Sequence, residues 1–161
     1  MGPLRPSAAR PTGTVTFLFS DIEGSTQRWE RNAAAMTAAL ARHDAAMRGA
    51  IGAHDGHIFK TVGDAFCAAF SDPPSAVAAA LDAQLRIASE DWISVGGLRV
   101  RIALHTGTSE ERDGDYFGPA VNRVARILSI VYGGQVVLSH VTSRLVSESM
   151  PPGTKLLGLG S

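Results

Sequence analysis

A chain of 161 residues is one domain's worth of sequence, long enough to bury about two thirds of the surface its unfolded form exposes. Its 15 basic and 15 acidic residues balance, which removes any electrostatic argument for a nucleic-acid or membrane-surface partner. The single cysteine, Cys67, cannot close an internal disulfide, and no apolar run is long enough to span a bilayer or to form the core of a secretion signal. A reducing, cytoplasmic setting is the expectation, with packing as the role of the thiol and no direct membrane contact from this domain.

Residues 1–13 hold three prolines and little apolar content, so they read as a flexible lead-in to a domain at 14–161. Val15-Thr-Phe-Leu-Phe-Ser-Asp-Ile-Glu-Gly-Ser-Thr26 follows. Its β-branched and aromatic run predicts a buried strand that ends at Asp21. Gly24, Ser25 and Thr26 can present backbone N–H groups where a helix starts. Residues 33–51 carry Met36, Leu40, Met47 and Ile51 at helical spacing, and core packing explains that stripe better than a partner surface. His54 and His57 read as turn residues rather than metal ligands. Residues 56–70 predict two strands joined at Thr61-Val-Gly-Asp64. Asp72-Pro-Pro-Ser opens a helix over 74–89, residues 98–107 alternate as a strand, and 108–114 read as a charged loop. A helix holding Asn122 and Arg126 comes next. A strand at 135–139, a helix at 140–148 and a strand starting at Lys155 complete the pattern.

A lone Asp21 reads first as a strand terminator and helix cap. The second carboxylate, Asp64, also at a turn between apolar strands, is what points to two-metal phosphoryl-transfer chemistry. The element order describes an α+β domain with a ferredoxin-like core, an antiparallel sheet with helices packed on it.

The two stretches around Asp21 and Asp64, with Asp115-Tyr-Phe-Gly-Pro-Ala-Val-Asn-Arg-Val-Ala-Arg126, resemble the class III nucleotidyl cyclases, the adenylyl and guanylyl cyclase catalytic domains. The resemblance runs from about Thr14 to the C-terminus, and three motifs occur in the right order at the right spacing. It implies two Mg2+ ions, or Mn2+, held by Asp21, Asp64 and the backbone carbonyl of Ile22. It further implies that the amides around Gly24, Ser25 and Thr26 take the β- and γ-phosphates and that Arg101 contacts the terminal phosphates. Lys60 and Asp115 match the base-selecting pair. Adenine offers an acceptor at N1 and a donor at its amine, so a lysine and an aspartate suit it, whereas guanine reverses both polarities. Asn122 and Arg126, one helical turn apart, match the pair that orients the ribose and neutralises the α-phosphate; Ala125 lines the base pocket in the same comparison.

The resemblance therefore implies an adenylyl cyclase that converts ATP to 3′,5′-cyclic AMP and pyrophosphate. It implies a homodimer with two composite interfacial sites and other modules in the parent chain. A guanylyl cyclase and a catalytically silent nucleotide-binding module are the alternatives. Lys60 and Asp115 argue against the first, and the presence of all six key residues argues against the second. The Gly-Gly-Asp/Glu-Glu-Phe turn of a diguanylate cyclase is absent. One departure is that the sequence reaches Ser161 without the family's further basic residue after the last strand, which implies a truncated end and weaker triphosphate binding.

Overall fold

The computed structural model describes residues 10–154 and 156. Its centre is β1 (Thr14–Ile22), buried from Val15 to Ser20. β1 is flanked on one side by β3 (Ala65–Phe70) and on the other by β4 (Val100–Thr108), both antiparallel to it. Outside these lie β2 (His57–Val62) and β7 (Val136–Leu138), which gives the order β2-β3-β1-β4-β7. The first four strands thus have the split βαβ arrangement of the ferredoxin-like core. β7 pairs parallel to β4, so the sheet is mixed rather than wholly antiparallel. A crossover helix between two neighbouring strands forces that direction.

Strand alternation divides the core into two layers. Leu18, Ile22, Phe66, Ala68 and Phe70 face a layer covered by α2 (Ala33–Ala53) and α3 (Pro73–Ala88). Val15, Phe17, Phe19, Cys67 and Ala103 face the opposite layer, covered by α4 (Pro119–Leu128) through Ala120, Val124 and Leu128. The helices start where side chains can satisfy their first amides. Asn32 caps α2 through Ala35, after closing the short α1 (Ser25–Arg31). Asp72 caps α3 with prolines just inside, and Ser139 caps α5 (His140–Val146). Gly56 lets the exit of α2 meet β3, because a Cβ there would stand 2.5 Å from the Phe70 ring and 2.6 Å from Ile51.

Three features differ from the sequence reading. The stretch expected as a charged loop, 108–114, holds the first strand and the turn of a two-stranded ribbon: β5 (Glu110–Arg112), then Asp113 and Gly114, both at positive φ, which lead into β6 (Asp115–Phe117). Left-handed Asp-Gly pairs make such hairpins, and strands of three residues are too short to show a period. The last residues of the expected lead-in are anchored: Pro11 is buried, the Tyr116 hydroxyl donates to its carbonyl at 2.6 Å, and Arg10 pairs with Glu111 at 2.5 Å. β2 carries a bulge between Ile58 and Lys60. The strand expected from Lys155 falls outside the described residues.

Candidate active site

Strand register assembles the site from distant parts of the sequence. Ser20 of β1 stands opposite Phe66, so the next steps bring Asp21 and Ile22 beside the β2–β3 turn that carries Asp64. On the other side Asp21 stands directly opposite Arg101 of β4. Asp21 shares the parity of Phe17 and Phe19 and so emerges on the α4 side of the sheet, while Ile22 turns into the opposite core. The side chains meet in a fork: Arg101 Nε donates to Asp21 Oδ1 at 2.6 Å and Nη2 donates to Oδ2. Both groups are about three-quarters buried. The hydrogen bonds to Asp21 push the Arg101 guanidinium pKa above its ordinary value despite burial, and the charges of Asp21, Glu23 and Asp64 add to the effect.

Immediately after Asp21 the chain makes the turn that leads into α1, with Gly24 in the left-handed region at φ 64°. Arg28 fixes that turn. Its guanidinium donates to the carbonyls of Glu23 at 2.5 Å, Gly24 at 3.2 Å and Gly97 at 2.7 Å. Glu23 in turn accepts from the Gly133 amide at 2.6 Å. A peptide plane whose carbonyl is held on one side directs its neighbouring N–H to the other. The clasp therefore orients the amides of Gly24 and Ser25. Sequence reasoning missed both Arg28 and Glu23, because the contacts that tie the turn to the rest of the domain, to Gly97 and Gly133, are to backbone atoms 69 and 110 residues away.

Lys60 and Asp115 are brought together from β2 and β6: Lys60 Nζ donates to Asp115 Oδ2 at 3.1 Å. The bulge explains how. Ile58 lies opposite Ala68 and Lys60 opposite Cys67, so Phe59 and Lys60 fall on the same side of the sheet. Phe59 anchors there against Tyr116, ring centres 4.7 Å apart, and against Phe17 at 6.0 Å. Beneath the pair, burial pushes the Cys67 thiol up to about 11.

Asn122 and Arg126 lie exposed on α4, one turn apart, and neither makes an ion pair or side-chain hydrogen bond among the described residues. A shallow cavity of about 340 Å³ beside them is lined by Arg123, Arg126, Ile127 and Ile130. Ala125 is exposed next to Arg126. A larger cleft, about 730 Å³, lies elsewhere, between the end of α3, Trp92 and the glycines at 96, 97, 133 and 134. His54 donates from Nε2 to Asp82 Oδ2 at 3.2 Å, as a turn residue would.

Among the described residues no three His, Cys, Asp or Glu side chains converge on one point. A cation at Asp21 would take carboxylate and carbonyl oxygens from the protein and complete its shell from water or a phosphate-bearing substrate. That hard-oxygen mixture suits Mg2+. The donor set fits: a cationic guanidinium already sits on Asp21, drawn also by the charges of Glu23 and Asp64.

Comparison with known proteins accounts for this arrangement. Over residues 7–154 the sequence matches the family described as the adenylate and guanylate cyclase catalytic domain, and the chain belongs to that family. An uncharacterised protein of Mycobacterium tuberculosis is 41% identical over 152 residues, covering 93% of this chain and 51% of its own length. An adenylate cyclase of Schizosaccharomyces pombe is 35% identical over 169 residues, which is 87% of this chain and 10% of that protein. In a structure of adenylate cyclases of Trypanosoma brucei, described in their monomeric state, a chain 30% identical superposes with a TM-score of 0.76 over 89% of this chain and 77% of its own. The chain thus spans about half the length of its mycobacterial relative and a tenth of the yeast one. No described helix is long and apolar enough to cross a membrane.

Proposed function

We propose that the chain is an adenylyl cyclase domain, forming 3′,5′-cyclic AMP and pyrophosphate from ATP. The observation that carries the choice of base is the pairing of Lys60 with Asp115 at 3.1 Å. A donor and an acceptor so placed can separate to read N1 and the exocyclic amine of adenine. Guanine would meet each of them with a group of the same polarity, a mismatch that costs orders of magnitude in selectivity.

The reaction needs a proton removed from the ribose 3′-hydroxyl, in-line approach to the α-phosphorus, and charge neutralised on the phosphate oxygens. Asp21, Asp64 and the Ile22 carbonyl would hold two divalent cations, Mg2+ or Mn2+. When bound, such ions lower the pKa of the attacking hydroxyl and neutralise the leaving phosphates. Gly24, Ser25 and Thr26 would donate their amides to the β- and γ-phosphates, in the orientation that Arg28 fixes. Asn122 would orient the ribose, and Arg126 would set its guanidinium against the α-phosphate, a contact worth roughly 100- to 1,000-fold in rate.

The exposed Asn122 and Arg126 favour a site shared between two copies, one supplying the aspartates and the other supplying α4 and the base-reading pair. A symmetric homodimer would hold two such sites. A domain of this kind acts in the cytoplasm, with further modules of a longer chain regulating it. The test is direct: incubate the purified protein with ATP or with GTP, each with Mg2+ or Mn2+, and quantify the cyclic products. Cyclic AMP well above cyclic GMP is expected. Cyclic GMP in excess would transfer the assignment to a guanylyl cyclase, and no product from either would favour the silent module.

A further inference from the structure

We propose that Arg101 is a displaceable latch on Asp21, the resident counter-ion of the ligand-free protein, which yields the carboxylate to a divalent cation and takes a polyphosphate in exchange. The inference rests on reading Asp21 as a cation ligand.

The geometry is that of a closed pair. Asp21 and Arg101 are cross-strand partners, so neither side chain has to reach, and the guanidinium engages both carboxylate oxygens at once. Asp21 and Arg101 keep only 21% and 26% of their side-chain surface exposed, which shields the pair from salt more than an exposed one. Two parallel charge-assisted hydrogen bonds are the strongest contact an arginine makes with a carboxylate. A cation that needs the oxygens of Asp21 therefore competes with a bound cation, not with water. Arg101 cannot leave by losing its proton, since a guanidinium stays protonated in proteins.

The consequence is coupling. Once Asp21 has been ceded to a divalent ion, the guanidinium is left beside a charge of its own sign and without its acceptors. A triphosphate supplies the anion that it then lacks. Each ligand thereby improves the site for the other, and by linkage the benefit is reciprocal. Free metal binds poorly, while metal arriving with nucleotide binds well.

The experiment uses Mn2+ as the probe without nucleotide, the free ion being read from its electron paramagnetic resonance signal over the full-length protein. Arg101→Gln is expected to tighten Mn2+ binding roughly ten- to a hundredfold, the range for losing hydrogen bonds to a charged group. Arg101→Lys should fall between, since it keeps the charge but loses the fork. Arg99→Gln, two residues along and exposed, should change affinity less than about twofold, which separates a local latch from the protein's overall field. Asp21→Asn should abolish the binding. The melting temperature should follow, with Mn2+ stabilising Arg101→Gln at lower concentrations than the parent. Unchanged or weaker affinity in Arg101→Gln, with Asp21→Asn still dead, would overturn the latch. So would equal tightening in Arg99→Gln. Should Arg101→Gln fail to fold, Arg101→Lys decides, and parental affinity there overturns the proposal. Full Mn2+ binding by Asp21→Asn would instead refute the cation site itself, and the latch with it.

Discussion

Asp21 and Asp64 sit where strands end, outside the two core layers, so their carboxylates do little for packing. Asp21→Ala and Asp64→Ala are accordingly expected to lose turnover by several orders of magnitude while keeping the parent's circular dichroism. Activity within a few-fold of the parent would refute the two-metal assignment. The proposed base selection rests on a similarly small set of atoms, the Lys60–Asp115 pair. Lys60→Glu combined with Asp115→Cys should lower the rate with ATP by orders of magnitude, measured as cyclic AMP formed at saturating metal. Persistence of the ATP rate would place the adenine pocket elsewhere. His105 responds to pH for a different reason. It is buried on β4, bonded to Ser139 at 2.7 Å, and burial, assisted by the charge of Arg123, holds its pKa below the ordinary value. The unfolded chain thus binds a proton that the folded chain refuses. The stability His105 contributes is complete above pH of about 6.5 and is lost as pH falls from there through the lowered folded value. Denaturant midpoints at pH 7.5 and 5.5 should show this decline, and His105→Gln should flatten it.

At the scale of elements, close approach is what the packing depends on. Gly56→Ala would drive a methyl into the Phe70 ring and Ile51, two fully buried side chains. A loss of about 1 to 3 kcal/mol is expected, read as a shift of the urea midpoint at constant slope. The apolar run of β1, the helix start at Asp72 and the Gly-Asp turn of β2–β3 were legible in the sequence, because each depends on neighbours within a few residues. Asp21, Asp64, Lys60 and Asp115 were legible through motif spacing. The β5–β6 ribbon was not, since strands of three residues, Glu-Glu-Arg and Asp-Tyr-Phe, are too short to carry a hydrophobic period. The fork of Arg101 on Asp21 and the clasp of Arg28 on Gly97 depend on register and loop closure over 80 and 69 residues, beyond any local pattern.

For the whole molecule, the distribution of residues makes a distinctive prediction. If the site is shared between two copies as proposed, Asp21→Ala would remove one half of each site and Arg126→Ala the other, so each mutant homodimer should be nearly inactive. In a mixed dimer one site collects both lesions and the other none. Mixing the two inactive proteins should restore activity toward about a quarter of the parent value when subunits exchange at random, since half the dimers are mixed and each has one sound site of two. A mixture that stays inactive while exchange is demonstrated by labelled subunits would mean that catalysis does not cross an interface.

The bulge in β2 makes insertions and deletions more consequential there than substitutions. It is a phase shift of one residue: the turn sets Val62, Thr61 and Lys60 opposite Ala65, Phe66 and Cys67, and the bulge lets Phe59 share the side of Lys60 while Ile58 faces the other layer. Any substitution at Lys60 keeps its direction and, under the proposed base-reading role, samples a new preference one side chain at a time. Removing a single residue beside Phe59 would instead erase the bulge, leaving position 60 opposite Cys67 but turning the Phe59 ring toward the α2 and α3 layer, away from Tyr116 and Phe17. Nucleotide preference in such a domain can therefore drift by point changes, while the length of this one strand has to stay constant.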